Sequence, residues 1–108
     1  MSIGFESEQT EDAVRIALSG ELDVATAPSV EERLTALEAS ELPAHVILDI
    51  RGLRFLDSTG LSLLINADSR GRKAGRRVTI VSGTGPPSRI LDTTGLRGRL
   101  DIVEELPG

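Results

Sequence analysis

The chain carries little reactive chemistry, and most of it is hydroxyl. LDSTGL at residues 56–61 returns as LDTTGL at residues 91–96, with Thr93 in the place of Ser58. There is no cysteine, tyrosine or tryptophan, and His45 is the one histidine. Thiolate nucleophiles, disulfides and cysteine-held metals are therefore excluded. The spacings GxSxG, GKS or GKT, and HExxH are absent, so neither an elbow serine, a phosphate-loop lysine nor a helical zinc pair is present. His45 precedes an apolar run that reads as a core strand and has no obvious partner. Glu21 and Asp23 are candidate acids, but a turn after a strand explains them as solvated groups.

DSTG has one residue more than the Asp-Ser/Thr-Gly triplet of a carboxylate-pair protease, and such a site needs two acids sharing a proton. SGTGPPSR (82–89) is a glycine-rich stretch after a strand. Without a lysine it reads as a turn with a proline helix start, and a nucleotide site built on it with Asp23 is the weakest of the functional readings. No catalytic residue, metal ligand or cofactor is expected.

The two hexapeptides differ in their place on a helix. Ser58 opens an apolar-periodic segment, and Asp57 and Ser58 are both good N-caps. Backbone N–H groups at such an end lack partners and carry partial positive charge, so a phosphate is tolerated there. Thr93 and Thr94 close a helix, because Gly95 suits the left-handed residue that ends one. LDSTGL is read as a start and LDTTGL as a stop.

The elements that must position these residues follow from periodicity. IGFES (3–7) is a weak strand, and AVRIALS (13–19) alternates as a half-buried one. A helix over 28–39 follows, with Thr26 or Ser29 as cap, a Ser29–Glu32 capping box and Pro28 in its first turn. HVILDI (45–50) is a strand of the sheet centre or one covered on both faces. RGLRFLD is a connection, 58–75 a helix, 77–82 a strand, SRILDTT a short helix and 100–105 a last strand. The order is β-β-α-β-α-β-α-β, an α/β chain with a parallel or mixed sheet and one domain over 1–108.

Composition agrees with a globular chain: 39% hydrophobic and 27% charged, with Phe5 and Phe55 the only aromatics, so the core is aliphatic. No apolar run approaches ~20 residues, and the acidic N-terminus does not resemble a signal peptide, so a cytoplasmic location with no membrane association is expected. Net charge is −5. Residues 1–41 carry ten acids and two bases (−8), and residues 42–108 seven acids and ten bases (+3). RGRKAGRR (70–77) gathers five of those bases at a helix end, where cations are favoured. No aromatics interleave with them, so no nucleic acid partner is expected.

VILDIRGLRFLDSTGLSLLI (46–65) resembles the signature of STAS domains, the family of bacterial anti-sigma factor antagonists. GELDVATAP (20–28) is similar to that family's turn before its first helix, and PPSRILDTTGL (86–96) to its third helix. The resemblance implies a STAS fold, a small mixed β-sheet with about three or four helices. It implies a non-enzymatic switch: the chain binds an anti-sigma factor that is itself a serine kinase, and so frees a sigma factor. Phosphorylation of Ser58 ends that binding, and a PP2C-type phosphatase reverses it. On the resemblance, Asp23, Asp57, Ser58, Thr59, Gly60 and Leu61 form the partner-binding surface. The alternative is a STAS subunit of another assembly, a membrane lipid transporter complex or a stress-signalling scaffold, without phosphorylation control. Relatives usually carry a further helix after the last strand; with the sequence ending at DIVEELPG that helix is expected to be absent or vestigial, and part of the sheet to be less covered or covered by a partner.

Overall fold

A computed structural model describes residues 2–107. Its sheet has strands in the order β1 (Ile3–Gln9), β2 (Ala13–Leu22), β3 (His45–Leu56), β4 (Arg77–Val81) and β5 (Ile102–Val103). The first pair is antiparallel and the others are parallel. Helices α1 (Ala27–Glu38), α2 (Ser58–Lys73) and α3 (Pro86–Thr93) make the crossovers, and a 3₁₀ turn at Leu96–Gly98 leads into β5. The element order is the one the periodicity predicts, and the sheet is mixed.

From β2 to β5 every crossover advances to the adjacent strand in one direction. Right-handed crossovers, the rule for such units, then put all three helices on one face. The core agrees. Val14, Ile16, Leu18, Val46, Leu48, Ile50, Val78 and Ile80 share one cluster with Val30, Leu34, Leu63, Leu64 and Leu91 of the helices. The opposite face carries no helix among the described residues. Its polar side chains cover one another: Asp49 is bonded by Arg15 at 2.9 Å and by Arg51 at 2.8 Å. Burial disfavours ionisation of Asp49, but hydrogen bonds from Arg51 and Arg15 outweigh it and hold the carboxyl below its usual range.

Several features differ from the sequence expectation. RGLRFL is strand, not connection: β2 and β3 both run on and pair through Ser19↔Gly52 to Leu22↔Leu56. Register shifts along this stretch give β3 a burial pattern of period three, which hides the alternation. Gly52 permits the close approach, since a Cβ there would meet the Ser19 Cβ at 2.9 Å. β5 is two residues long rather than six. The Ser29–Glu32 box does not form, because the Ser29 hydroxyl donates to the Thr26 carbonyl at 2.9 Å. Thr26 sits at the N-cap of α1, but its side chain makes no cap bond, and Pro28 lies in the first turn.

Candidate functional site

The site is built where two loops meet at the carboxyl ends of β2 and β3. β3 delivers Asp57 as the N-cap of α2, and its Oδ1 accepts from the Gly60 N–H at 2.9 Å. Its carbonyl accepts from Leu61 N–H at 2.9 Å. The other carboxylate oxygen reaches across to the β2–α1 turn and accepts from the Val24 N–H at 3.3 Å. The Asp57 N–H donates to the Leu22 carbonyl at 3.3 Å. One aspartate therefore caps a helix and fastens two turns 33 residues apart in sequence.

Of the two candidate caps, Asp57 is the one used. That leaves the hydroxyls of Ser58 and Thr59 exposed, with no hydrogen bond among the described residues. As first and second residues of α2, they also carry backbone N–H groups that no helical carbonyl can reach. Both features favour an added anion at this end.

Asp23 is not the solvated group expected from its turn. It is 3% exposed. Its Oδ1 accepts from the N–H groups of Ala25 at 2.9 Å and Thr26 at 3.1 Å, so the short side chain folds the turn around itself. Oδ2 is buried and has no hydrogen-bond partner among the described residues. Thr26 completes the turn: its hydroxyl accepts from the Asp23 N–H at 3.0 Å and donates to the Glu21 carbonyl at 2.7 Å. Glu21 itself pairs with exposed Arg54 at 2.6 Å, and that hydrogen bond holds its carboxyl below the usual range.

Gly60 and Leu61 serve the site from beneath. Gly60 is buried, and a Cβ there would lie 2.6 Å from Leu56 Cδ1 and 2.8 Å from the Leu22 carbonyl oxygen. Only a glycine lets α2 start this close to the end of β2. Leu61 is half-buried and packs on the core. Two apolar residues flank the site that the sequence reading passed over. Val24 is 70% exposed and Phe55 49%, two of the three exposed large hydrophobic side chains among the described residues. The available signal was Phe55 itself, one of only two aromatics in a chain with an aliphatic core. Val24, Thr59 and Leu63 line a shallow groove of about 310 Å³ between α1 and α2.

The second hexapeptide lacks the cap and the free hydroxyls of this site. Thr93 Oγ1 donates to the Arg89 carbonyl and Thr94 Oγ1 to that of Ile90, both at 2.9 Å. Gly95 has φ +73°, the left-handed value of a helix stop. His45 does have a partner: its Nε2 lies 2.7 Å from Thr79 Oγ1, whose hydroxyl donates to Asp101 at 2.8 Å. The glycine-rich loop places Pro86 and Pro87, which lack N–H groups, in the first turn of α3. The Ser88 N–H is used by the Gly85 carbonyl. The N–H groups of Ser82 and Gly83 are likewise taken, by the Val103 and Glu104 carbonyls. In RGRKAGRR, Arg70 pairs with Glu31 and Glu38, Arg72 with Asp68, and Arg77 with Asp101. No described helix is long and apolar enough to cross a membrane.

Comparison with known proteins places this geometry. The STAS domain family model matches residues 5–106. The anti-sigma-B factor antagonist of Bacillus subtilis is 28% identical over 108 residues, all of this chain and 97% of that protein. A crystal structure of an anti-sigma factor antagonist from Mycobacterium paratuberculosis superposes with a TM-score of 0.87 at 27% identity, covering 97% of this chain and 88% of the other. The Bacillus cell fate determinant SpoIIAA, solved in its phosphorylated form, shares the fold with a TM-score of 0.70 at 20% identity, covering 94% and 93% of the two chains.

Proposed function

Since the chain belongs to the STAS domain family, we propose that it acts as an anti-sigma factor antagonist whose binding is switched off by phosphate on Ser58. The observation that carries the proposal is the start of α2. Ser58 offers a free, exposed hydroxyl directly after a cap that leaves the end's first N–H groups unused. The relatives named as antagonists extend over nearly the full chain, which supports the role.

The proposed cycle has three steps. The unphosphorylated surface binds an anti-sigma factor through Val24, Phe55, Thr59 and the start of α2, and a sigma factor is released. The anti-sigma factor, acting as a serine kinase, places a phosphate on Ser58. A PP2C-type phosphatase removes it. Phosphate adds ~1.5–2 negative charges. The helix end accommodates them without loss of fold. The interface does not, because the charge must be stripped of water beside the Asp57 carboxylate. Asp23 holds the neighbouring turn in shape, and Gly60 and Leu61 set the helix on the sheet. The chain itself catalyses none of these steps.

Incubation with ATP and candidate kinases from the same cell, followed by mass-spectrometric mapping, tests the assignment. Phosphate is expected on Ser58 and absent from Ser58→Ala. Full labelling of Ser58→Ala at Thr59 would move the acceptor by one residue.

A further inference from the structure

The far end of α2 carries a second surface. An open groove of about 510 Å³ runs between α2 and the 3₁₀ turn before β5. Buried Leu96 and Leu100, with half-buried Ile65, form its floor. Exposed Arg72, Lys73 and Arg99 stand on its rim. Arg72 has Asp68 at 3.3 Å, while Lys73 and Arg99 form no ion pair among the described residues. The lining therefore sums to three cations against one carboxylate, on an apolar floor. It calls for an acidic segment with an aliphatic side chain.

Such a segment exists in the chain itself. Glu104 and Glu105 follow β5 and are exposed, and Leu106 beside them is 40% exposed, the one exposed large hydrophobic among the described residues that is not at the Ser58 site. Groove and tail lie on either side of the same edge strand. Arg99 and Leu100 end just before β5 (Ile102–Val103), and the tail starts just after it. Among the described residues β5 pairs only with β4, and its outer edge is unpaired. Two chains set antiparallel along this edge bring each tail to the other's groove. Because the exchange is reciprocal, the assembly closes as a two-fold dimer.

We infer that this chain associates with a second copy of itself, the Glu104–Leu106 tail of each seated in the α2–Leu100 groove of the other. Lys73 and Arg99 receive the two glutamates, and Ile65, Leu96 and Leu100 receive Leu106. The groove begins at Ile65, seven residues beyond Ser58 on a helix rising about 1.5 Å per residue, so it starts on the order of 10 Å from the switch along α2. The dimer thus leaves both copies of the proposed switch surface open. The inference does not depend on the antagonist role.

Sedimentation velocity of the full chain across a concentration series provides the test. The contact is smaller than a standard interface, so a weak dimer with Kd on the order of 100 µM is expected. Raising sodium chloride from about 50 to about 500 mM should weaken it, since the rim pairs are screened. Leu106→Asp and the double change Lys73→Glu with Arg99→Glu alter exposed residues only. Each should raise Kd by about tenfold or more with an unchanged circular dichroism spectrum. Adding Glu104→Lys and Glu105→Lys to the double change reverses both partners and should restore association. A wild-type chain that stays monomeric at ~1 mM in low salt overturns the inference. So does a dimer indifferent to both variants, or a groove variant that the reversed tail does not rescue.

Discussion

Placing one negative charge at each of the two hexapeptides tests the start-and-stop reading by stability alone. In Ser58→Asp the lost hydroxyl has no hydrogen bond to forfeit, and the new carboxylate faces the positive end of α2. That gain is ~0.3–1 kcal/mol. The Asp57 carboxylate beside it repels: unit charges ~6 Å apart at an effective dielectric of ~60 cost about 0.9 kcal/mol. The two effects nearly cancel, and the net change should fall within ~0.5 kcal/mol. In Thr94→Asp both effects point one way. The hydrogen bond from Thr94 Oγ1 to the Ile90 carbonyl at 2.9 Å is lost, which costs ~0.5–1.5 kcal/mol. The charge also meets the unpaired carbonyls of the last turn of α3, a further ~0.3–1 kcal/mol. Arg97, the nearest cation along the chain, is already bound to Asp92 and Ser88. Thr94→Asp should thus be ~1–2.5 kcal/mol less stable, a melting shift of several degrees for a domain of this size. Urea melts of both variants against the wild type decide the matter. Equal midpoints for the two would refute the argument that the same six letters occupy opposite helix ends.

Gly60→Ala should lose about 1–2 kcal/mol in the same melts, because overpacking at a fixed backbone carbonyl costs more than the ~1 kcal/mol that alanine gains in a helix. Titrated against the anti-sigma partner, Ser58→Ala should bind as the wild type and Ser58→Asp weakly, and equal affinities would count against the switch. Val24→Ala and Phe55→Ala should each weaken that binding about tenfold while leaving urea midpoints unchanged. Asp49 gives a pH signature. Its carboxyl titrates lower in the folded chain than in the unfolded one, so its contribution is complete above the unfolded value near 4 and disappears as pH falls through the folded value. Wild-type stability should drop below about pH 4, and Asp49→Asn should be less stable at pH 7 with a flatter acid limb.

Much of the fold was legible along the chain. The element order, the core faces of β2 and α2, and the opposite roles of LDSTGL and LDTTGL all depend on groups within one helical turn or on alternation within one strand. Asp57 and Gly95 could be read because caps and left-handed stops each favour a residue type, whereas the close approach at Gly60 appeared only in the fold. The extension of β3 through RGLRFL was not legible, because bulged pairing with β2 replaces the period of two with one of three.

Asp23 and Asp57 mark the boundary between the two kinds of information. Sequence alone determined that each sits in a turn after a strand, since short acidic side chains bond nearby N–H groups. Tertiary structure decided that the first is buried and the second exposed enough to bridge both turns. That outcome requires β2 and β3 to run side by side as far as Leu22 and Leu56, which ends them level and sets their turns in contact. The exposure of Val24 and Phe55, and the freedom of the Ser58 hydroxyl, arise in the same way. Local chemistry fixes what a residue is able to do, and which groups compete for it is settled only when distant strands pair.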